Sequence, residues 1–172
     1  MSPSGAGKDS MLFTLDSFIS TWRKETAICV NLAGKMPPGA LDYRPSASQR
    51  TTLELLRYLS YGPYNGVHRV LAGDWGAGRP TAEVVAGMPA SDFPGRMAWQ
   101  ADAVERELRA VPMSDLLGKD MTFPWGETIK RAEALLTPMR WLIGYRMQLF
   151  LYLKAAGNPQ LGTADCWRLP SH

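Results

Sequence analysis

The sequence predicts an all-α protein, a bundle of four amphipathic helices in one domain. Three observations carry this expectation. Apolar residues recur at spacings of three and four along four long stretches. No segment shows the convincing polar–apolar alternation of a half-buried strand. And 172 residues, 45% hydrophobic and 20% charged, suit one core with no long disordered region.

Helix one is expected over residues 10–36, where Leu12, Leu15, Ile19, Trp22, Thr26, Cys29, Ala33 and Met36 form one mostly apolar stripe. Pro37-Pro38-Gly39 stops it. Helix two opens on a capping box, with Thr51 to cap the free amides and Glu54 three residues on to answer it. It continues to about residue 71, with a kink or break at Gly62-Pro63, because proline cannot donate the helical hydrogen bond. Residues 72–92 are rich in Gly, Pro and Asp and read as a long connection, with one helical turn at 82–86. Helix three spans 94–111: Met97, Ala101, Val104, Leu108 and Val111 repeat as 4-3-4-3, while Glu105, Arg106, Glu107 and Arg109 are expected to face away. Residues 112–127 read as a second connection. Helix four covers 128–156 with a kink at Pro138 and ends at Gly157-Asn158-Pro159. The tail to His172 holds Cys166 and Trp167 and is expected to dock on the bundle.

Composition narrows the function classes. The net charge of +3 is small and spread along the chain, with no basic cluster interleaved with aromatics, so nucleic acid is not an expected partner. The most apolar stretch, 139–156, carries Arg140, Arg146 and Lys154, which argues against a membrane span. Cys29 and Cys166 form no Cys-x-x-Cys pair, and no basic segment followed by an apolar run marks a signal peptide; a cytoplasmic protein with reduced thiols is expected. Residues 1–9 are small and polar and read as a flexible tail before a single domain at 10–172. The string Ser2-Pro3-Ser4-Gly5-Ala6-Gly7-Lys8-Asp9-Ser10 resembles a phosphate-binding loop. However, Ser2 replaces the first glycine, Asp9 intrudes before Ser10, and no strand precedes it to aim its amides, so no nucleotide is expected there. His68 and His172 are the two histidines, too few at useful spacing for a zinc-type site, and no metal or other cofactor is expected.

Two polar-aromatic stripes stand out. Helix two carries Glu54, Tyr58, Tyr61, Asn65 and His68 at 4-3-4-3, and helix four carries Trp141, Tyr145, Gln148 and Tyr152 at 4-3-4. A separate helix-four seam, Leu135, Met139, Leu142, Leu149 and Leu153, is interrupted by Arg146. The stripes either face each other across a cavity or are packing surfaces with their hydroxyls in water; periodicity alone favours the second. A helix apolar on more than one face is either central or shared with another chain, so a homodimer is expected.

At Leu41-Asp42-Tyr43-Arg44-Pro45, Thr52 to Leu59, and Trp141 to Leu149 the chain resembles the DinB-like (YfiT-like) metalloenzyme superfamily, which includes thiol-dependent S-transferases and mycothiol-dependent maleylpyruvate isomerases. The resemblance implies an up-down-down-up bundle, often dimeric. Its metal-binding members hold the metal with one histidine on helix two and two on helix four. Those positions fall on Tyr58, Trp141 and Tyr145, so the resemblance is to a subgroup lacking the metal-binding histidines; the YRMQLFLYLK helix and the LGT-x-x-x-W tail, Leu161-Gly162-Thr163 with Trp167, match that subgroup.

The sequence identifies no reaction and no catalytic residue. The expected function is a metal-free, small-molecule-binding bundle with a pocket between helices two and four, lined by Glu54, Tyr58, Tyr61, Trp141, Tyr145, Arg146 and Gln148. The alternatives are a metal-independent transferase acting on a low-molecular-weight thiol, or a purely structural homodimer.

Overall fold

The computed structural model of the chain describes residues 14–170. The 1–9 segment with its glycine-lysine string, the start of the first expected helix and His172 lie outside them. Helix α1 (Leu15–Ala33) begins at Thr14, whose hydroxyl accepts the Ser17 N–H and caps the first turn. It buries Ile19, Trp22, Thr26 and Cys29 of the expected stripe, together with Phe18, Ile28 and Leu32.

The second expected helix is two helices, α2 (Thr52–Leu59) and α3 (Gly62–Ala72). The capping box closes as read: Thr51 N–H donates to Glu54 Oε2 (2.6 Å) and Glu54 N–H to Thr51 Oγ1 (3.1 Å). The break falls at Ser60-Tyr61, which leaves Pro63 in the first turn of α3, where its missing N–H is not needed. A break strands backbone groups, and a side chain from another helix satisfies two of them. The fully buried Gln100 donates Nε2–H to the Leu59 carbonyl (3.1 Å) and accepts the Tyr64 N–H on Oε1 (3.0 Å).

After the short α4 (Thr81–Val85), α5 (Phe93–Ala110) buries Met97, Ala101, Val104 and Leu108 as expected, with Phe93, Gln100 and Ala103 beside them. Residues 112–127 are not a plain connection. They hold a helical turn and a half, α6 (Met113–Gly118), and the start of a β-hairpin that pairs β1 (Asp120–Thr122) with β2 (Thr128–Lys130), Met121 opposite Ile129. Gly126 sits at φ +92°, and Phe123 N–H donates to the Glu127 carbonyl (2.8 Å), closing a three-residue Pro-Trp-Gly loop. Met121 and Phe123 point into the core while Asp120 and Thr122 are exposed, so a short alternation is present after all.

The last helical arm accordingly starts at residue 131, not 128. It is divided at Leu135 into α7 (Arg131–Ala134) and α8 (Leu136–Ala155). The division lies one turn before Pro138, where the carbonyl that proline cannot bond to would sit. Gly157 at φ +126° ends the arm, and α9 (Thr163–Trp167) folds the tail back onto α1 and α8. Lys35 pairs with Asp165, Cys166 is buried against Met147 (Sγ–Sδ 3.9 Å), and the Trp167 ring lies 4.5 Å from the Arg146 guanidinium carbon.

Side-chain pairings fix the directions of the four arms. α1 opposes α5, since Asp16 pairs with Arg109 (3.0 Å) and Arg23 with Asp102 (2.8 Å). α1 runs with α8, because Glu25 meets Arg146 and, beyond the helix ends, Asn158 Nδ2–H donates to the Lys35 carbonyl (2.9 Å). The α2–α3 arm runs with α5, with Leu59 at Gln100 and His68 at Glu107. The same arm opposes α8, with Tyr58 on Tyr145 and Gly66 against Trp141 and Pro138. The order is up, down, down, up. Among the described residues no helix is long and apolar enough to cross a membrane.

Candidate functional site

Tyr58 of α2 and Tyr145 of α8 come together: their ring centroids are 4.6 Å apart at an interplanar angle of 57°. α3 sets this contact from below, because Gly62 lets its backbone pass beneath the Tyr58 ring; a Cβ there would stand 2.8 Å from Tyr58 Cζ. Arg50, from the loop that leads into α2, covers both rings, with its guanidinium carbon 4.5 Å from the Tyr58 centroid and 5.7 Å from that of Tyr145. Burial, and next the neighbouring Tyr145 phenol, push the Tyr58 hydroxyl up to about 12 against the opposing pull of Arg50. Tyr58 is therefore a neutral hydrogen-bond donor throughout the physiological range.

Beside the pair opens a cleft of about 630 Å³. The 44–50 loop forms one wall, α2 the floor with Glu54, Arg57 and Tyr58, and α4 the far wall with Ala82, Val85 and Ala86. Thr52 N–H donates to the Tyr43 carbonyl (2.9 Å) and ties the base of the loop to α2. Three guanidinium groups, Arg44, Arg50 and Arg57, line the cleft against one carboxylate, Glu54. The Thr51 backbone N–H, and behind it the Thr51 hydroxyl, Arg44 and Arg50, hold the Glu54 carboxyl below its usual range.

Of the seven residues singled out from sequence, Glu54 and Tyr58 line this cleft and Tyr145 packs on Tyr58; the structure disperses the other four. Tyr61 turns to α5, where it stacks on Trp99 (6.1 Å, 10°). Trp141 packs over Gly66 and, edge-on, against Trp75 (5.7 Å) in an aromatic group with Phe123 and Trp125 from the hairpin. Arg146 is fully buried and turned toward α1, paired with Glu25. Gln148 donates to the Tyr152 hydroxyl (2.6 Å), whose ring meets Tyr43.

The three arginines were not legible beforehand, since they follow no helical period and two sit in a loop. Glu107, expected to face away, instead accepts the Tyr64 hydroxyl (2.6 Å) and lies 3.0 Å from His68 Nδ1. The contact raises the Tyr64 pKa, after burial as the larger cause. Both cysteines are free and buried, and burial raises their thiol pKa values.

Tyr58, Trp141 and Tyr145 are poor donors for a metal. A phenol pushed up to about 12 supplies almost no phenolate near neutrality, the Trp141 indole offers no acceptor, and a guanidinium already lies over both tyrosine rings. Among the described residues no three His, Cys, Asp or Glu side chains are grouped to hold a metal ion.

No family model matches the sequence, and no curated protein matches it. Among solved structures the chain is similar to a DinB-like protein from Bacillus subtilis (YjoA): the two are 13% identical with a TM-score of 0.66, and the match covers 88% of this chain and 98% of that one. At this identity the likeness speaks for the fold alone, and the fold is all-α and DinB-like.

Proposed function

We propose that this DinB-like bundle is a metal-free, small-molecule-binding protein whose ligand enters the cleft over Tyr58. The observation that carries the reading is the convergence of Arg44, Arg50, Arg57 and Tyr58 on one cavity of ligand size. The test is native mass spectrometry of the protein purified from its own host, with metal quantified in the same sample. A bound small molecule, released on unfolding and lost in Tyr58→Ala, is the expected result. A stoichiometric metal removed by chelators, or a ligand retained in the variant, refutes the reading.

A second reading, a metal-independent thiol transferase, draws on the chemistry of the same pair. A tyrosine kept neutral and a neighbouring guanidinium would both stabilise a bound thiolate, and the thiolate is the nucleophile. Thiol-dependent turnover that falls in Tyr58→Phe separates this reading from binding alone.

A further inference from the structure

The charge of the cleft is one-sided; Arg44 reaches the Ala47 carbonyl (3.5 Å) and Glu54, while Arg50 and Arg57 keep donors unpaired. Glu54, the one carboxylate among the lining residues, is committed to the helix cap and stands 3.8 Å from Arg44. Arg57 donates Nε–H to the Met88 carbonyl (2.8 Å), which anchors its head on the wall while its two Nη groups have no hydrogen-bond partner among the described residues. Arg50 has no carboxylate or carbonyl hydrogen-bond partner there either; its guanidinium carbon sits 4.5 Å from the Tyr58 centroid and 5.7 Å from that of Tyr145. A guanidinium held over a ring by its charge leaves its N–H donors unspent, and that fork matches the paired oxygens of a carboxylate or phosphate. Opposite, the α4 wall is apolar at Ala82, Val85 and Ala86.

Building on the small-molecule reading, we infer that the cleft binds an organic oxyanion, a carboxylate or a phosphate monoester, with its charged head between Arg44, Arg50 and Arg57 and its carbon body against Val85. Tyr58 lines the floor beneath them. Two cations in excess of the carboxylate make the cleft attractive to anions and repellent to amines and metal cations.

Aromatic-ring NMR of Tyr58 in the full chain, titrated with benzoate, phenyl phosphate, benzamide and benzamidinium, tests this. The two anions are expected to shift Tyr58 and saturate, with neutral benzamide at least about tenfold weaker and benzamidinium silent. Arg50→Gln is expected to weaken both anions about tenfold with an unchanged melting curve, since Arg50 is exposed, and Arg50→Lys to recover part of the loss. Arg44→Gln is an independent second variant, and rising salt should weaken the anions in the wild type. Tighter phenyl phosphate indicates a phosphate head and tighter benzoate a carboxylate; either supports the inference. Benzamide or benzamidinium binding as tightly as the anions, or unchanged benzoate affinity in both glutamine variants, overturns the anion class while leaving small-molecule binding intact. Silence of Tyr58 toward both anions at millimolar concentration also overturns it, and the mass spectrum from the host then decides the binding reading by itself.

Discussion

Gly66 and Gly144 are both glycines inside long helical arms, and replacing each by alanine should change stability in opposite directions. In an open helix, Gly→Ala stabilises by about 0.5–1 kcal/mol, because alanine loses less backbone freedom on folding. Gly144 is such a case: a Cβ built there meets nothing within 4 Å. At Gly66 the same atom would stand 2.9 Å from both Pro138 Cβ and Trp141 Cζ3, well inside the roughly 3.5–4.0 Å at which carbons rest. Neither neighbour yields easily. The Pro138 ring is fixed to the α8 backbone, and Trp141 is backed by Trp75. Overpacking of this kind costs about 1–3 kcal/mol, so after the helix gain Gly66→Ala should lose about 1–2 kcal/mol. The two variants then differ by roughly 2 kcal/mol, or about 4–8 °C in Tm for a chain of this size. Urea unfolding followed by circular dichroism, with equal m-values as the check on two-state behaviour, measures both. If Gly66→Ala proves as stable as the wild type, or the two variants move together, the close passage of α3 over α8 is not as described.

Glu25→Ala should cost about 3–5 kcal/mol in urea unfolding, since it leaves the fully buried Arg146 without its carboxylate, whereas a loss under 1 kcal/mol would mean the guanidinium finds another partner. Tyr58 titrates at about 12 in the folded protein and near 10 when unfolded, so the unfolded chain releases its proton first. That contribution to stability is complete below pH 10 and is lost between about 10 and 12; Tyr58→Phe should flatten this part of the pH profile, and tyrosinate absorbance showing Tyr58 ionised at its ordinary pKa would contradict it. Sedimentation at micromolar concentration is expected to give a dimer that Leu151→Lys dissociates, because Leu151 on α8 is 54% exposed; a monomer would mean that α9 already covers enough of that helix.

The long helices were readable because burial on one side imposes a three-and-four spacing over many residues, as in Met97, Ala101, Val104 and Leu108. The hairpin was not, because each of its strands offers three residues and the alternation of Met121 and Phe123 is too short to rise above chance. Its real signal was the turn chemistry of Pro124-Trp125-Gly126. For the site, periodicity alone favours packing surfaces, and it is the resemblance that brings Tyr58 and Tyr145 to neighbouring positions, as they are in the structure. The stripe misleads at Tyr61, while spacing sets Arg146 in the core seam, where it lies buried. Tyr61 sits at the break, where the stripe loses phase, and Arg146 lies one residue and about 100° round α8 from Tyr145, which turns it from α2 toward Glu25 of α1. The arginines of the cleft belong to a loop and to the outer side of α2, which no period marks.

The Gln100 amide has a consequence for exchange with solvent. An N–H in the first turn of a helix ordinarily lacks a helical acceptor and trades its proton with water quickly. Tyr64 N–H occupies such a place in α3, yet its acceptor comes from the middle of α5. The proton can leave only when α5 draws back or its glutamine swings away, so the protection of that one amide is set by the opening free energy of a neighbouring helix. Deuterium uptake at Tyr64 thereby reports the fraction of molecules in which α5 is drawn away from the α2–α3 arm, the motion that would also loosen the floor on which Tyr58 rests.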